Sequence, residues 1–243
     1  MTAKRPMRLT RELVALVPPH DGETGNLAGR SDLSTDADIA EVADGLLAGR
    51  PASGEVWIFA YGSLIWAPEF EFVEERLGTV RGWHRSFCLG WVRLYRGTPE
   101  RPGIMLALDR GGACKGVLFR LPPDAVAANL HKILKREMPV RRVTKPPVRW
   151  LTAETGLGPL KAIGFPISRS SPAYLPGLTT ETVVQALATA AGERGSMAEY
   201  LHSTITHLEA RGIHDRYLWT LQDLVARKIE ALQTAGSTGL TPS

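Results

Sequence analysis

The sequence predicts an α+β fold in which a region of β-strands precedes a group of packed helices. Residues 55–167 contain runs rich in Val, Ile, Trp and Phe separated by Gly and Pro, which is the pattern of strands and turns. Beyond residue 178, apolar residues instead recur at helical spacing. The two patterns do not alternate regularly along the chain, which argues against a doubly wound parallel sheet.

The chain has 243 residues, 44% of them hydrophobic, and is long enough to bury a substantial core. We expect an N-terminal extension over residues 1–54 that is partly helical or disordered, a main domain over 55–233 and a flexible tail over 234–243. In the extension, "TDADIAEVADGLLAGRP" has apolar residues at helical spacing before Gly49 and Pro51 end the helix. These apolar residues are Ile39, Val42, Leu46 and Leu47.

The strand region begins with "EVWIFAYGSLIW" at residues 55–66, an apolar run interrupted by a glycine and a serine. Further along, "GIMLALDRGGACKGVLFRL" contains two apolar runs joined at Arg110–Gly112, which predicts a hairpin. A second hairpin is predicted where "VRWLTAE" and "LKAIGFPI" flank the turn residues Gly156–Pro159. The region is therefore expected to form a sheet of several antiparallel strands.

One helix is predicted inside the strand region, from the favourable N-cap residue Asp124 to Pro139, which ends it. Its apolar stripe consists of Val126, Leu130, Ile133 and Leu134. Three further helices are predicted near the C-terminus: from Thr179 to Gly192, from Ser196 to Gly212, and over residues 215–232. The second of these opens with a capping box in which Ser196 pairs with Glu199.

Charge and cysteine content exclude several classes of function. The net charge is +4 with a sequence pI of about 9.2, and the basic residues are interleaved with acidic ones, so no nucleic-acid partner is expected. Cys88 and Cys114 each lie in an apolar stretch and suggest buried thiols in a reducing compartment. No stretch is long enough to span a bilayer or to form a signal h-region, so we expect a cytoplasmic protein without a membrane partner.

Most motifs for metal, nucleotide or nucleophilic chemistry are absent. The chain contains no G-x-x-x-x-G-K-[ST], no G-x-G-x-x-G after a strand and no H-E-x-x-H. Glu199 and His202 form a lone E-x-x-H pair without a second arm, so no metal is expected. Ser63 lacks the second glycine of a nucleophile elbow, which argues against a serine hydrolase.

The first candidate for chemistry is the backbone of Tyr61, Gly62 and Ser63, which follows the first predicted strand. Because glycine tolerates unusual backbone angles and close approach, consecutive N–H groups here can point into one concavity and bind a carboxylate. The alternative is a plain tight turn between two core segments.

Glu137 is the second candidate, because it lies on the apolar stripe of its predicted helix, where a charged group is unusual. Desolvation and the negative end of the helix dipole both raise the pKa of such a carboxyl, towards the value that suits a general base at neutral pH. The alternative is a glutamate at a fraying helix end that pairs with Arg136, Arg141 or Arg142.

Six segments of the chain, spread over about residues 55–230, resemble the ChaC-like gamma-glutamylcyclotransferases in order and approximate spacing, and in particular their glutathione-specific branch. The segments are "FAYGSLIWAPEF", "GWHRSFCL", "RGTPERPG", "ILKREM", "SSPAYLPGL" and "GSMAEYLHSTITHLEARGIHDRYL". The resemblance implies an α+β fold built on a closed or nearly closed mixed sheet with flanking helices.

The resemblance also implies a set of site residues. Glu137 corresponds to the catalytic base, and the segment that corresponds to the gamma-glutamyl-binding loop comprises Ile58, Phe59, Ala60, Tyr61, Gly62 and Ser63. Tyr174 is expected to donate its hydroxyl to the substrate, with a buried structural tyrosine as the alternative. Arg96 is expected to meet a carboxylate of glutathione, although loop arginines are often solvated or paired.

The implied reaction converts glutathione to 5-oxoproline and cysteinylglycine without a cofactor, by attack of the substrate α-amine on its own γ-carbonyl. Two alternatives are a cyclotransferase that acts on other gamma-glutamyl amino acids or gamma-glutamylamines, and a non-catalytic binding module of the same fold. A desolvated glutamate argues against the binding module, since such a module gains nothing evident from a buried carboxylate.

Overall fold

The structure is a computed structural model that describes residues 6–19, 33–93, 95–139 and 148–238. The chain divides into two compact units. The first unit comprises Met1–Asn26, Phe87–Met105 and Leu175–Ser243, and the second comprises Leu27–Ser86 and Leu106–Tyr174. Among the described residues, no helix combines the length and apolar character needed to cross a membrane.

Seven strands and six α-helices make up the described parts of the chain. The strands are β1 (Trp57–Ala60), β2 (Glu74–Val92), β3 (Gly103–Arg120), β4 (Arg149–Thr155), β5 (Gly158–Gly164), β6 (Ala191–Gly192) and β7 (Gly195–Ser196). The α-helices are α1 (Arg11–Ala15), α2 (Asp36–Ala48), α3 (Val126–Glu137), α4 (Thr180–Thr189), α5 (Met197–Ala210) and α6 (Arg216–Thr238). A 3₁₀ helix over Ser63–Ile65 follows β1.

The five long strands close into a barrel with the order β1-β3-β2-β4-β5. β1 runs antiparallel to β3, with Ala60 opposite Val117, and parallel to β5, with Ile58 opposite Ile163. The barrel core is apolar and includes Trp57, Phe59, Val80, Leu108, Leu118 and Leu151. The predicted α+β class with a closed sheet and flanking helices is confirmed.

The hairpin predicted at Arg110–Gly112 is wrong, because β3 continues unbroken from Gly103 to Arg120. Gly111 and Gly112 take positive φ angles of 110° and 65°, which glycine adopts without a Cβ clash. Two such residues make a local irregularity that the strand absorbs, as in a β-bulge, and the chain does not reverse. The second predicted hairpin is confirmed, since β4 pairs with β5 up to the contact of Thr155 with Gly158.

Helix α3 begins at Val126, and the predicted cap by Asp124 is wrong because the residue before the helix is Ala125 and no side chain caps this end. The buried side chain of Asn129 instead links the first turn to a distant part of the chain. Its Nδ2 donates to the Ala125 carbonyl at 3.0 Å, and its Oδ1 accepts from the Glu71 amide at 2.9 Å. The first turn of α3 is thereby attached to the chain that leads into β2.

The apolar stripe of α3 is confirmed at Leu130, Ile133 and Leu134, which are buried, whereas Val126 is only partly buried. At the other end, the Met138 amide donates to the Leu134 carbonyl at 2.8 Å, and Pro139 follows as predicted. Helix α3 therefore ends at Glu137, with its last turn held by packing of its apolar face.

Helix α2 confirms the helix predicted in the N-terminal extension. Its first turn has a complete capping box between Thr35 and Asp38, and Ile39 and Leu46 are buried. The indole Nε1 of Trp150 in β4 donates to the Leu46 carbonyl at 3.1 Å. These contacts attach α2 to the barrel.

The ends of two C-terminal helices differ from the prediction. Helix α4 ends at Thr189, before the predicted end at Gly192, because the residues that follow form β6 and pair with β7. Helix α6 extends to Thr238, into the predicted tail over 234–243, whose last five residues lie outside the described part.

Candidate active site

The candidate site begins where β1 leaves the barrel. Ile58, Phe59 and Ala60 are buried in the barrel wall, so their side chains belong to the core. Tyr61 is the first residue of the segment that is not buried. The sequence-predicted loop is therefore a buried strand followed by a short turn.

Gly62 forms that turn, with φ −138° and ψ −128°, and the 3₁₀ helix starts directly after it at Ser63. The Ile65 amide donates back to the Gly62 carbonyl at 2.9 Å, which closes the first helical turn. The first N–H groups of a helical turn have no acceptor within the helix. The turn therefore contains backbone donors without an acceptor in the 3₁₀ helix, which the anion-binding prediction requires, and the plain tight turn stays the alternative.

Arg85 in β2 is hydrogen-bonded to the residue that precedes this turn. Its side chain is 4% exposed, and its guanidinium donates to the Tyr61 carbonyl at 2.7 Å and to the Lys115 carbonyl at 2.5 Å. The Tyr61 hydroxyl donates in turn to the Phe165 carbonyl at 3.0 Å. Arg85 is not among the residues predicted from the sequence, although an arginine within the aromatic segment "GWHRSFCL" is a signal.

Glu137 is the last residue of α3, and its side chain is 23% exposed. Burial raises the pKa of the Glu137 carboxyl, the nearby Arg136 guanidinium acts in the opposite direction, and the Glu69 carboxylate raises it further. The net direction is upward, as predicted from the position on the apolar stripe. Both predicted readings are thus present at once, a desolvated carboxyl and an ion pair.

Arg136 is the partner in that ion pair, with its Nε 3.4 Å from Glu137 Oε1. The other predicted partners, Arg141 and Arg142, lie outside the described residues. A second guanidinium nitrogen, Nη2, donates to Ser63 Oγ at 3.0 Å. Through Arg136 the structure therefore brings together Glu137 and the turn after β1, two features that the sequence identified separately.

Tyr174 belongs to a second polar group. Its hydroxyl donates to Asp109 Oδ2 at 3.3 Å, and Arg169 donates to both oxygens of Asp109 at 2.9 and 3.1 Å. The Asp109 side chain lies in β3, and the residue is 5% exposed. Burial raises the pKa of Asp109, but the hydrogen bonds from Arg169 and the Arg110 amide outweigh it, so the pKa lies below its ordinary value.

The barrel topology places both polar groups at the same end. Because β1 and β5 run parallel, the chain segments that follow them leave the barrel on the same side. After β5, the Ile167 amide donates to the Leu108 carbonyl at 2.9 Å, directly before Asp109 in the chain. Tyr61 also reaches this segment through Phe165. The turn after β1 and the Asp109 group therefore share one end of the barrel.

Arg96 lies in the first unit, between β2 and β3. Its guanidinium donates to the Ser196 carbonyl at 2.9 Å and to Glu199 at 3.2 Å, and lies 5.4 Å from the centre of the Tyr200 ring. The paired alternative for this residue is thus observed, and its contact with a substrate carboxylate stays a prediction. In the described part of the chain, no group of three or more His, Cys, Asp or Glu side chains could hold a metal ion.

Comparison with known proteins gives a consistent result. The profile of the family described as ChaC-like protein matches residues 56–228. The glutathione-specific gamma-glutamylcyclotransferase of Escherichia coli K12 is 40% identical over 169 residues, which cover 70% of this chain and 72% of that protein. The human glutathione-specific gamma-glutamylcyclotransferase 1 is 29% identical over 174 residues, which cover 70% of this chain and 78% of that protein.

A solved structure agrees at the level of the fold. The crystal structure of a yeast gamma-glutamyl cyclotransferase specific to glutathione superposes with a TM-score of 0.62 and 18% sequence identity. The match covers 71% of this chain and 96% of the yeast chain. On the profile match and the identity to the bacterial protein, the chain belongs to the ChaC-like family.

Proposed function

We propose that this protein is a gamma-glutamylcyclotransferase, a lyase that converts glutathione to 5-oxoproline and cysteinylglycine. The observation that carries this function is the partly buried Glu137, whose carboxyl has a raised pKa. Arg136 contacts both Glu137 and Ser63 and so links this carboxyl to the turn after β1. The bacterial and human relatives are named for this activity on glutathione.

Glu137 has the chemistry that the reaction needs. Glutathione carries an ammonium group at neutral pH, so a base must first remove a proton before the amine can attack the γ-carbonyl carbon. Ring closure then removes a second proton from the attacking nitrogen, which ends as a lactam N–H. The amide bond to cysteine breaks, and the departing nitrogen gains the two protons. A carboxyl whose pKa is raised towards neutrality can accept and return such protons.

The turn after β1 supplies the binding part of the proposal. Backbone N–H groups near Gly62 and Ser63 suit the substrate α-carboxylate or the oxyanion that forms at the γ-carbonyl. Because the attacking amine and the carbonyl belong to one molecule, the site mainly has to hold the chain in a folded conformation. Such positioning alone accelerates intramolecular reactions strongly.

Tyr174 and Arg96 complete the proposed set of substrate-binding residues. The Tyr174 hydroxyl lies at the same end of the barrel as the turn, which supports a role near the substrate. Its one O–H donates to Asp109, so the predicted donation to the substrate requires an exchange of that bond. The proposal for Arg96 is supported by its residue type and by the resemblance. Its hydrogen bonds in the structure include those to Ser196 and Glu199.

We also propose a cytoplasmic location and a reaction without a cofactor. Cys88 and Cys114 are buried thiols, which suits a reducing compartment. Proton transfer by a carboxyl and binding by backbone donors account for every step of the proposed reaction. No redox change occurs in it.

The test of this function uses the purified full chain and glutathione, with 5-oxoproline and cysteinylglycine quantified by mass spectrometry. We expect the two products in equal amounts. Formation of neither product contradicts the proposal. Competition with gamma-glutamyl-alanine tests the substrate: preference for glutathione supports the proposal, and equal turnover of both overturns the glutathione specificity.

A further inference from the structure

Arg136 connects the two halves of the candidate site and makes contacts that a surface arginine does not make. It lies in the last turn of α3, where its side chain is 21% exposed. Besides Glu137 and Ser63, its guanidinium donates to the Ala67 carbonyl and lies 3.4 Å from Glu69 Oε2. Four different groups thus surround one guanidinium.

The contact with Ser63 fixes the role of the serine hydroxyl. A guanidinium has only donors, so Ser63 Oγ must act as the acceptor in this bond. The hydroxyl proton then remains for another acceptor. Among the described residues, no protein acceptor takes that proton, which leaves it for a ligand in the turn after β1.

The contact with Glu137 fixes the position of the carboxylate. One of its oxygens lies 3.4 Å from Arg136 Nε, while the other contacts of the guanidinium hold the arginine to the chain between the 3₁₀ helix and β2. Glu69 in that segment adopts φ 53°, which is uncommon for residues other than glycine. A residue in such a conformation is usually held there by its surroundings.

We propose that Arg136 is a positioning residue that directs the Ser63 hydroxyl towards an oxygen of the bound gamma-glutamyl group while it holds Glu137 beside that group. This inference rests on the proposed function. Arg136 touches neither the bond that forms nor the bond that breaks, and acts through its two neighbours.

The charges around Glu137 make the effect of Arg136 on the pKa of Glu137 measurable. Among the residues that the structure describes, the charged groups that face its carboxyl are Arg136 from α3 and Glu69 from the segment before β2. Helix α2, which packs against α3, contributes Asp36, and that carboxylate lies 3.1 Å from Lys135. Removal of the Arg136 charge is therefore expected to raise the pKa of Glu137 further.

Three variants separate the charge of Arg136 from its geometry. Arg136→Gln removes the charge, Arg136→Lys keeps the charge but loses the planar fork, and Lys135→Gln removes a neighbouring exposed charge as the matched control. We expect Arg136→Gln to lower kcat/KM by about 10- to 100-fold and to move the acid limb of its pH profile to higher pH. Arg136→Lys should leave the acid limb near its wild-type position. Lys135→Gln should change neither kcat/KM nor the position of the acid limb.

A double-mutant cycle tests the link to the serine. If Arg136 acts through Ser63, Ser63→Ala and Arg136→Gln together should cost clearly less than the product of the two single losses. If the double variant instead loses the full product of the two single losses in kcat/KM, the proposed link between Arg136 and Ser63 is overturned. Circular dichroism and thermal melting identify a variant that fails to fold, in which case Arg136→Lys supplies the cycle.

A measurement without substrate separates this inference from the proposed function. Nuclear magnetic resonance of carboxyl-labelled glutamate follows the titration of Glu137 in the wild type and in Arg136→Gln. A higher pKa in the variant supports the coupling, and an unchanged pKa overturns it, whether or not the protein is active. If the wild type makes no 5-oxoproline, the proposed function fails, and the titration still decides whether Arg136 is coupled to Glu137. If the wild type makes 5-oxoproline and Arg136→Gln behaves like Lys135→Gln, the Arg136 inference fails alone.

Discussion

Glu137 is subject to two opposing influences at the level of the single residue. Burial at the end of α3 disfavours its charged form, and the Arg136 guanidinium favours it. Because burial has the larger effect, the pKa is raised, and ionisation of this carboxyl costs folding free energy as the pH rises through that value. Ionised Glu137 is therefore expected to reduce the stability of the folded chain at neutral pH.

This cost leads to a prediction about stability. Glu137→Gln removes the ionisation and keeps the size of the side chain, so the free energy of unfolding at neutral pH should be equal to or above that of the wild type. Below the pH range where glutamate normally titrates, the wild type is protonated and any difference should shrink. Urea unfolding of the wild type and the variant, at neutral pH and at the acid pH, measures this difference in the free energy of unfolding. A variant clearly less stable than the wild type at neutral pH contradicts the prediction.

The pKa of Asp109 is shifted in the opposite direction from that of Glu137. Its pKa is lowered in the folded chain, so its carboxylate stabilises the fold at neutral pH, and that contribution is lost as the pH falls through the folded pKa. Asp109→Asn should lower the free energy of unfolding at neutral pH by about 1.5–3 kcal/mol, the range for hydrogen bonds to charged groups. The deficit should shrink in acid.

Urea unfolding over the acid range checks this prediction, with Asp124→Asn as the control, because Asp124 is exposed and caps no helix. The control is expected to stay within about 0.5 kcal/mol of the wild type. A deficit for Asp109→Asn that does not change with pH contradicts the account of its ion pair with Arg169.

At the level of the secondary-structure elements, the contact of β1 with β3 decides where the turn of the site lies. A Cβ atom added at Gly116 in β3 would lie 2.5 Å from the Ala60 carbonyl oxygen and 2.7 Å from the Phe59 ring. The backbone atom cannot move without shifting β1, and the turn at Gly62 follows directly. The missing side chain therefore sets how closely the two strands approach.

Gly116→Ala should destabilise the protein by about 1–3 kcal/mol through overpacking, and should lower kcat/KM because the turn after β1 shifts. Gly156→Ala is the matched control, since a Cβ atom there has no neighbour within 4 Å. Thermal melting and the glutathione assay measure both effects. If the two substitutions have equal effects, the close approach of β1 and β3 does not matter.

Helix α3 shows what a sequence pattern can and cannot predict about an element. Periodicity predicts its apolar stripe and the half-buried place of Glu137, because both depend on neighbours three and four residues away. The cap by Asp124 is not formed, and the first turn is attached instead through Asn129, whose Oδ1 accepts from the amide of Glu71, 58 positions away. No local pattern encodes that contact.

At the level of the whole molecule, the α+β class follows from local patterns, and the closed sheet follows from the resemblance. The erroneous hairpin at Arg110–Gly112 shows that glycines predict a break in regularity but not whether the chain reverses there. The site depends on distant contacts: Arg136 beside Glu137 is evident from adjacency, whereas its bond to Ser63 spans 73 positions. The burial of Arg85 beneath the turn likewise requires the closed barrel.

The most direct test of the central claim compares the wild type with Glu137→Gln in their turnover of glutathione to 5-oxoproline and cysteinylglycine. We expect the wild type to form both products in equal amounts and the folded variant to lose about 10²- to 10⁴-fold in kcat, the usual contribution of a general acid–base group. A folded Glu137→Gln variant with wild-type turnover would contradict the assignment of the base, and a wild type that forms neither product would contradict the proposed reaction.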